Sequence, residues 1–139
     1  MFASATTSNA SQRRAAGAYK QVAATGVHAA SPHGLIAMLF DGLVGAIAEA
    51  RGAMRARNIP AKCGAISRAL RLLDEGLRGG LDMDRGGALA AQLNGLYGYV
   101  GVRLTLANLQ NDEAALDECL RLIEPVRSAW MQIGEQAAA

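Results

Sequence analysis

The chain has 139 residues, 51% hydrophobic and 4% aromatic, so Leu, Ile, Val and Ala must fill the core of a single domain. Its formal charge of +2, from 14 basic and 12 acidic side chains, is too balanced to indicate electrostatic binding of nucleic acid or an anionic membrane. No stretch of about 18 uncharged apolar residues occurs, which argues against membrane insertion and favours a cytosolic protein.

The first 30 residues divide into two segments. Residues 1–14 are rich in Ser, Thr and Ala and predict a disordered tail. Residues 15–30 contain Tyr19 and Val22, three positions apart, which would share one face of a short helix. This small apolar face predicts a mobile docking segment ahead of the folded domain.

Ser31 and Pro32 predict the start of the first long helix. A serine side chain can accept a hydrogen bond from the free N–H groups of the first turn, and proline suits the first helical position. The helix is predicted from about Ser31 to Arg57. Its apolar stripe recurs at helical steps and consists of Leu35, Ile36, Leu39, Leu43, Ile47, Ala50 and Met54.

Three further helical patterns follow, separated by short turns. The second comprises Cys63, Ile66, Leu70, Leu73 and Leu77 and ends at Gly79 and Gly80. The third comprises Leu89, Leu93, Leu96, Tyr97, Val100, Leu104 and Ala107. The fourth comprises Leu116, Cys119, Leu120, Ile123, Val126, Trp130 and Ile133. Because short links force neighbouring helices to be antiparallel, residues 31–136 are predicted to form an all-α, up-down-up-down four-helix bundle with a mobile N-terminal segment.

Nothing in the sequence predicts an enzyme, a metal site or a bound cofactor. The two histidines, His28 and His33, have no carboxylate at helical spacing. The stretch LDMDRGG (81–87) resembles the start of a calcium loop, but its twelfth position is Leu93, where a bidentate Glu is needed. It is interpreted as a turn that caps the third helix. Cys63 and Cys119 fall in phase with apolar neighbours, which predicts buried thiols.

A row of basic residues leaves an alternative open. Its members could contact phosphates, although a solvated face is favoured because no aromatic residues interleave with them. They are Arg51, Arg55, Arg57, Lys62, Arg68, Arg71 and Arg78. A helical regulator that binds nucleic acid through this face is therefore the second hypothesis. A bundle that only self-associates is the third. A salt titration separates nucleic-acid binding from an apolar binding site, because phosphate contacts weaken steeply with salt.

The ordered combination of motifs resembles the flagellar secretion chaperone FliS family. The matching stretches cover about 110 of the 139 residues and are AYKQV (18–22), SPHGLIAMLFDGL (31–43), LDMDRGGALAAQL (81–93), LYGYV (96–100), L-x-x-AN (104–108) and VRSAW (126–130). One departure is Phe40, where the family usually has Tyr. Any hydrogen bond of that hydroxyl is lost here, whereas the packing of the ring can persist.

The resemblance implies a helical bundle that holds the disordered C-terminal segment of flagellin in hydrophobic grooves before export. It also implies that residues 15–30 cover part of that surface when flagellin is absent. Whether the flagellar export gate, an anti-sigma factor or a co-chaperone also binds stays open. The residues that the resemblance assigns to the flagellin-binding and cover region are Tyr19, Val22, Leu35, Ile36, Leu39, Phe40, Leu96, Tyr97 and Val100.

Three other residues are predicted to be structural. Asp41 interrupts an apolar run and Asn108 lies near the end of the third helix, so each is expected to satisfy a polar group near a helix end or between helices. Direct contact of these two residues with flagellin is the alternative. Trp130 is expected to pack at one end of the bundle, against the N-terminal segment or the first helix.

Overall fold

The computed structural model describes the backbone of residues 31–138 and the side chains of residues 31–134. Helix α1 spans Pro32–Arg55, α2 spans Ile59–Arg71, α3 spans Gly87–Gln110 and α4 spans Glu113–Ala138. A π-helical segment, Leu72–Arg78, continues α2 without a break. No strand is present in residues 31–138, and the prediction of an all-α four-helix bundle is confirmed. The predicted tail (1–14) and docking segment (15–30) lie outside the described residues.

Side-chain contacts between the helices define an up-down-up-down order. Asp41 near the start of α1 pairs with Arg127 in the second half of α4, and Arg51 near the end of α1 pairs with Asp117 near the start of α4. These two helices are therefore antiparallel. The same reversal holds between the second helix and α3, because Lys62 reaches Asn108 while Arg78 reaches Asn94.

The helix starts follow local side-chain chemistry. The Ser31 hydroxyl accepts a hydrogen bond from the Gly34 N–H at 3.0 Å, and the Asn58 side chain accepts one from the Ala61 N–H at 3.1 Å. The start of α3 lies in the turn predicted at residues 81–87. Asp82 accepts hydrogen bonds from Asp84 and Arg85 within the turn itself, so its carboxylate does not cap α3. Gly86, which has no side chain, occupies the N-cap position instead.

One continuous core lies between the four helices. Residues with no exposed surface come from every helix and include Leu39, Leu43, Ile47, Ile66, Val100, Leu104, Leu116, Cys119 and Ile123. By length and composition, α1 is the one helix of the described part of the chain that could cross a membrane. Six of its residues are nevertheless buried in the core, as in the central helix of a bundle.

The π-helical segment was not predicted, since the spacing of Cys63 to Leu77 indicated an ordinary α-helix. Gly79 donates to the carbonyl of Asp74, five residues earlier, at 2.8 Å, which is the π-helical hydrogen bond. A Cβ atom on Gly76 would lie 2.9 Å from the Leu39 side chain. The glycine therefore allows the wider turn to approach α1 closely. The turn buries Leu72, Leu73, Gly76 and Leu77 together.

Candidate functional site

Helix α3 presents an apolar face that no other described element covers. From Gly86 to Asn111 the only charged residue is Arg103. The residues that are exposed or half-buried on one side recur at helical steps, and we call them the α3 outer face: Ala88, Ala91, Gly95, Val102, Leu106 and Leu109. The side chains of Val102 and Leu109 are 58% and 75% exposed. A contiguous apolar patch of this length is typical of an interaction surface.

A groove of about 550 Å³, the long groove, runs between the second helix and α3. Leu70 and Leu73 line one side together with the charged side chains of Arg71, Asp74, Glu75 and Arg78, and Gly98, Gly101 and Val102 line the other. Because the two glycines carry no side chains, the space between the helices stays open. A Cβ on Gly101 would come within 3.7 Å of Leu73. The long groove adjoins the α3 outer face at Val102 and Leu106, so the two form one surface.

A second cavity of about 230 Å³, the end pocket, lies at one end of the bundle. Its lining is mostly apolar and comes from all four helices and the 79–86 turn, with Ile36, Phe40, Leu77, Leu81, Leu89, Leu93, Tyr97, Val126 and Trp130 as members. The Trp130 ring stacks on the His33 ring with a centroid distance of 4.4 Å, and its N–H donates to the His33 carbonyl at 3.1 Å. This contact joins α4 to the first turn of α1.

The one cation on α3 is neutralised at the seam with α4. The Arg103 guanidinium donates to Glu118 at 2.7 Å, and the Tyr99 hydroxyl donates to the same carboxylate at 2.6 Å. These hydrogen bonds, first from Tyr99 and then from Arg103, lower the pKa of Glu118. The ion pair with Glu118 therefore neutralises Arg103, so its charge does not disfavour an apolar partner on the α3 outer face.

Comparison with known proteins places this helical architecture in one family. The model of the family described as flagellar protein FliS matches residues 15–137. The chain belongs to the FliS family. It is 43% identical over 122 residues to the flagellar secretion chaperone FliS of Salmonella typhimurium, a match that covers 87% of this chain and 90% of that protein. It is also 43% identical over 113 residues to the flagellar secretion chaperone FliSB of Pseudomonas aeruginosa, with 81% and 89% covered.

A further FliS relative is the flagellar secretion chaperone FliS of Vibrio cholerae. It is 37% identical over 117 residues, covering 84% of this chain and 85% of that protein. The matches extend over nearly the full length of each FliS protein. The family assignment therefore applies to the whole bundle, and the resemblance inferred from the motifs is confirmed.

The residues assigned to flagellin binding by resemblance to FliS fall into four groups. Ile36, Phe40 and Tyr97 line the end pocket, and Tyr97 lines the long groove as well. Leu35 and Leu96 are half-buried. Leu39 and Val100 have no exposed surface and belong to the core, so they contact no partner in this conformation. Tyr19 and Val22 lie outside the described residues.

Asp41 and Asn108 both make contacts between helices. Asp41 is exposed and accepts hydrogen bonds from Arg127 of α4 at 2.7 Å. The Asn108 side chain accepts from the Cys63 thiol at 3.5 Å, and its backbone carbonyl accepts from the Lys62 ammonium at 2.9 Å. Cys63 is only half-buried, in contrast to the prediction, because it sits at the edge of the second helix beside this contact.

Lys62 is the buried cation of the bundle. Its side chain is 3% exposed, and besides Asn108 it donates to the Asn111 side chain at 2.5 Å. Asn111 ends α3 in the left-handed conformation, with φ of 51°. The ammonium therefore lies where the last carbonyls of α3 lack helical partners and where the helix dipole is negative.

Most members of the basic row that suggested nucleic-acid binding are paired with carboxylates or buried in the fold. Four of its arginines pair with carboxylates: Arg51 with Asp117, Arg55 with Glu113, Arg68 with Glu49, and Arg78 with Asp74. Lys62 is inside the bundle. Side chains already neutralised by neighbours release few counterions on meeting phosphates, so the row does not form a basic patch.

The described part of the chain offers little for catalysis. It contains no group of three or more His, Cys, Asp or Glu side chains that could hold a metal ion. Burial raises the pKa of Cys119 to about 11, so this thiol is protonated and poorly nucleophilic at neutral pH.

Sequence reasoning missed the α3 outer face. The pattern of α3 was interpreted as a single core stripe, and Leu89 was included in it, although its side chain is 64% exposed at the rim of the end pocket. The available signal was the almost complete absence of charge from Gly86 to Asn111. A helix that is apolar all round either is buried all round or lacks a partner.

Proposed function

We propose that this protein is a cytosolic export chaperone that binds the disordered C-terminal segment of flagellin. Binding would prevent premature polymerisation and aid type III flagellar secretion, without a catalytic step. Its relatives are flagellar secretion chaperones, which supports the general role. The observation that carries the proposal is the exposed, uncharged α3 outer face beside the long groove.

The physical chemistry of this surface suits a disordered ligand. Ordering a segment that is unfolded alone and helical when bound costs several kcal/mol, and a large apolar contact must offset this cost. The part of α3 that lines the groove runs from Tyr97 to Leu106 and is about 14 Å long, enough to support two to three turns of a bound helix. An amphipathic helix placed in such a groove needs no ATP-driven step.

Val102→Glu tests the surface directly. Val102 lies on both the α3 outer face and the wall of the long groove, so a carboxylate there would have to be desolvated on binding. We expect the affinity for full-length flagellin to fall at least about 10-fold, because about 1.4 kcal/mol of lost binding energy suffices for that. Melting should not change, since Val102 is mostly exposed.

Ala48→Glu is the matched control, because Ala48 is exposed on α1 away from both cavities. It should bind flagellin like the wild type. Co-purification with full-length flagellin and with flagellin lacking its C-terminal segment provides the second measurement. Equal retention of the two flagellins would refute the proposal, as would tight binding by Val102→Glu. Binding should also respond little to salt, in contrast to a phosphate-binding surface.

Residues 15–30 are proposed to cover this surface when flagellin is absent. The segment joins α1 at Ser31, about one and a half turns before Ile36 and two and a half turns before Phe40, so the end pocket that these two residues line is the part of the surface nearest to it. If Tyr19 and Val22 occupy the surface, they compete with flagellin, and apparent affinity falls by the fraction of time the surface is covered. The net effect should be small, about 1–2 kcal/mol, after the entropy of ordering the segment is subtracted.

Tyr19→Ala tests the cover. Unchanged melting with equal or tighter flagellin binding is the expected result. A large fall in melting temperature together with weaker binding would instead make Tyr19 a core residue and overturn the cover.

A further inference from the structure

Tyr97 separates the long groove from the end pocket. Its side chain is 3% exposed and lines both cavities. The residue lies in the middle of α3, so it stands where a bound chain would pass from one cavity to the other. The other described tyrosine, Tyr99, lies at the α3–α4 seam and lines neither cavity.

The hydroxyl of Tyr97 has no hydrogen-bond partner among residues 31–134. Every fully enclosed side-chain nitrogen or oxygen in that part of the chain has a partner. The Tyr97 hydroxyl is therefore not sealed in the core and must be reachable from cavity space. Burial raises its pKa to about 12, so it remains protonated and able to donate. An unpaired polar group in an apolar site is costly, which indicates a site completed by a ligand.

The two cavities require different conformations of a chain that fills both. The long groove can take a helix, whereas a pocket of about 230 Å³ holds one or two side chains and not a helix about 10 Å across. A helix lying in the long groove cannot itself continue into the end pocket, so a chain that fills both cavities with consecutive residues leaves the helical conformation near Tyr97. The last four carbonyls of any helix lack partners within the helix.

We propose that the Tyr97 hydroxyl donates a hydrogen bond to a free backbone carbonyl of the bound flagellin segment, where its helix ends between the two cavities. This inference rests on the proposed function. Apolar contacts alone let an apolar helix slide by a turn at little cost, but only one register brings a free carbonyl to Tyr97. Other registers leave both polar groups unpaired, so the hydroxyl selects the register of the bound segment.

Tyr97→Phe is the direct test, because it removes the hydroxyl and keeps the ring. The free protein should melt at the same or a slightly higher temperature, since no partner in the described chain is lost. Affinity for full-length flagellin, measured by calorimetry, should fall about 3- to 10-fold, the usual effect of one hydrogen bond. Tyr99→Phe, which removes a hydroxyl bonded to Glu118, is the matched control and should leave the affinity unchanged.

The outcomes separate this inference from the proposed function. If the wild type binds no flagellin, the proposed function fails. If the wild type binds but Tyr97→Phe binds equally well, only the role of the hydroxyl is overturned. A marked loss of melting temperature or of folding in Tyr97→Phe would also overturn it, because the hydroxyl would then have a partner within the protein.

Discussion

Replacing Lys62 by Met should destabilise the bundle by about 2 kcal/mol. Methionine keeps the length of the side chain but leaves the Asn108 carbonyl without its donor, which costs about 1–3 kcal/mol for a buried group. Loss of a positive charge at the C-terminus of α3 adds about 0.3–1 kcal/mol. Asn111 is exposed, so water can replace its hydrogen bond. The variant also avoids burying an ammonium group, which offsets part of the loss.

Thermal melting at neutral pH, followed by circular dichroism, measures the effect. For a domain of this size 1 kcal/mol corresponds to about 4 °C, so the melting temperature should fall by about 8 °C. Arg121→Met is the control, because Arg121 is exposed on α4 and makes no ion pair with residues 31–134. It should melt within about 2 °C of the wild type. An unchanged or higher melting temperature for Lys62→Met would refute the reasoning, since the desolvation of the ammonium would then outweigh its hydrogen bonds.

Three other predictions concern stability, pH and fluorescence. Gly64→Ala, at an open position of α2, should raise the free energy of unfolding, measured with urea, by about 0.5–1 kcal/mol. Gly76→Ala should not raise it, because its Cβ would meet a core leucine. Equal effects of the two variants would contradict the packing. Because the folded state lowers the pKa of Glu118 below its ordinary 4.5, its stabilisation exists at neutral pH and is lost on acidification. The difference in melting temperature between the wild type and Glu118→Gln should therefore shrink below pH 4.5. A difference that stays constant with pH would contradict the stabilisation by ionised Glu118. Trp130 should emit at shorter wavelength than free tryptophan, and His33→Ala should shift the emission towards the red; no shift would exclude the stack.

The sequence by itself determined the helices and most of their ends. The hydrogen bonds of an α-helix and its caps are local, so Ser31 and Asn58 act on residues three positions away whatever the rest of the chain does. Hydrophobic spacing also identified most of the core, including Leu43, Ile47 and Ile123, because it reports which side of a helix avoids water. Short turns then left little choice but an antiparallel bundle.

Tertiary structure alone decided which neighbour each side chain meets. The same apolar spacing fits an α-helix or a π-helix at Leu72–Arg78. The choice depends on how closely Gly76 approaches Leu39, which is a contact with α1 and not a local property of the segment. Likewise, the sequence shows that Arg51 is basic, but only the fold pairs its charge with Asp117, 66 residues away.

The binding surface depends on long-range packing in the same way. Spacing placed Tyr97, Val100 and Leu104 on the buried side of α3. Because that helix is apolar all round, spacing could not show that its opposite side stays exposed after α3 packs against the second helix and α4. Those contacts set Tyr97 between two cavities and leave Val102 on the surface, since burial is a property of the whole fold and not of a stretch of sequence.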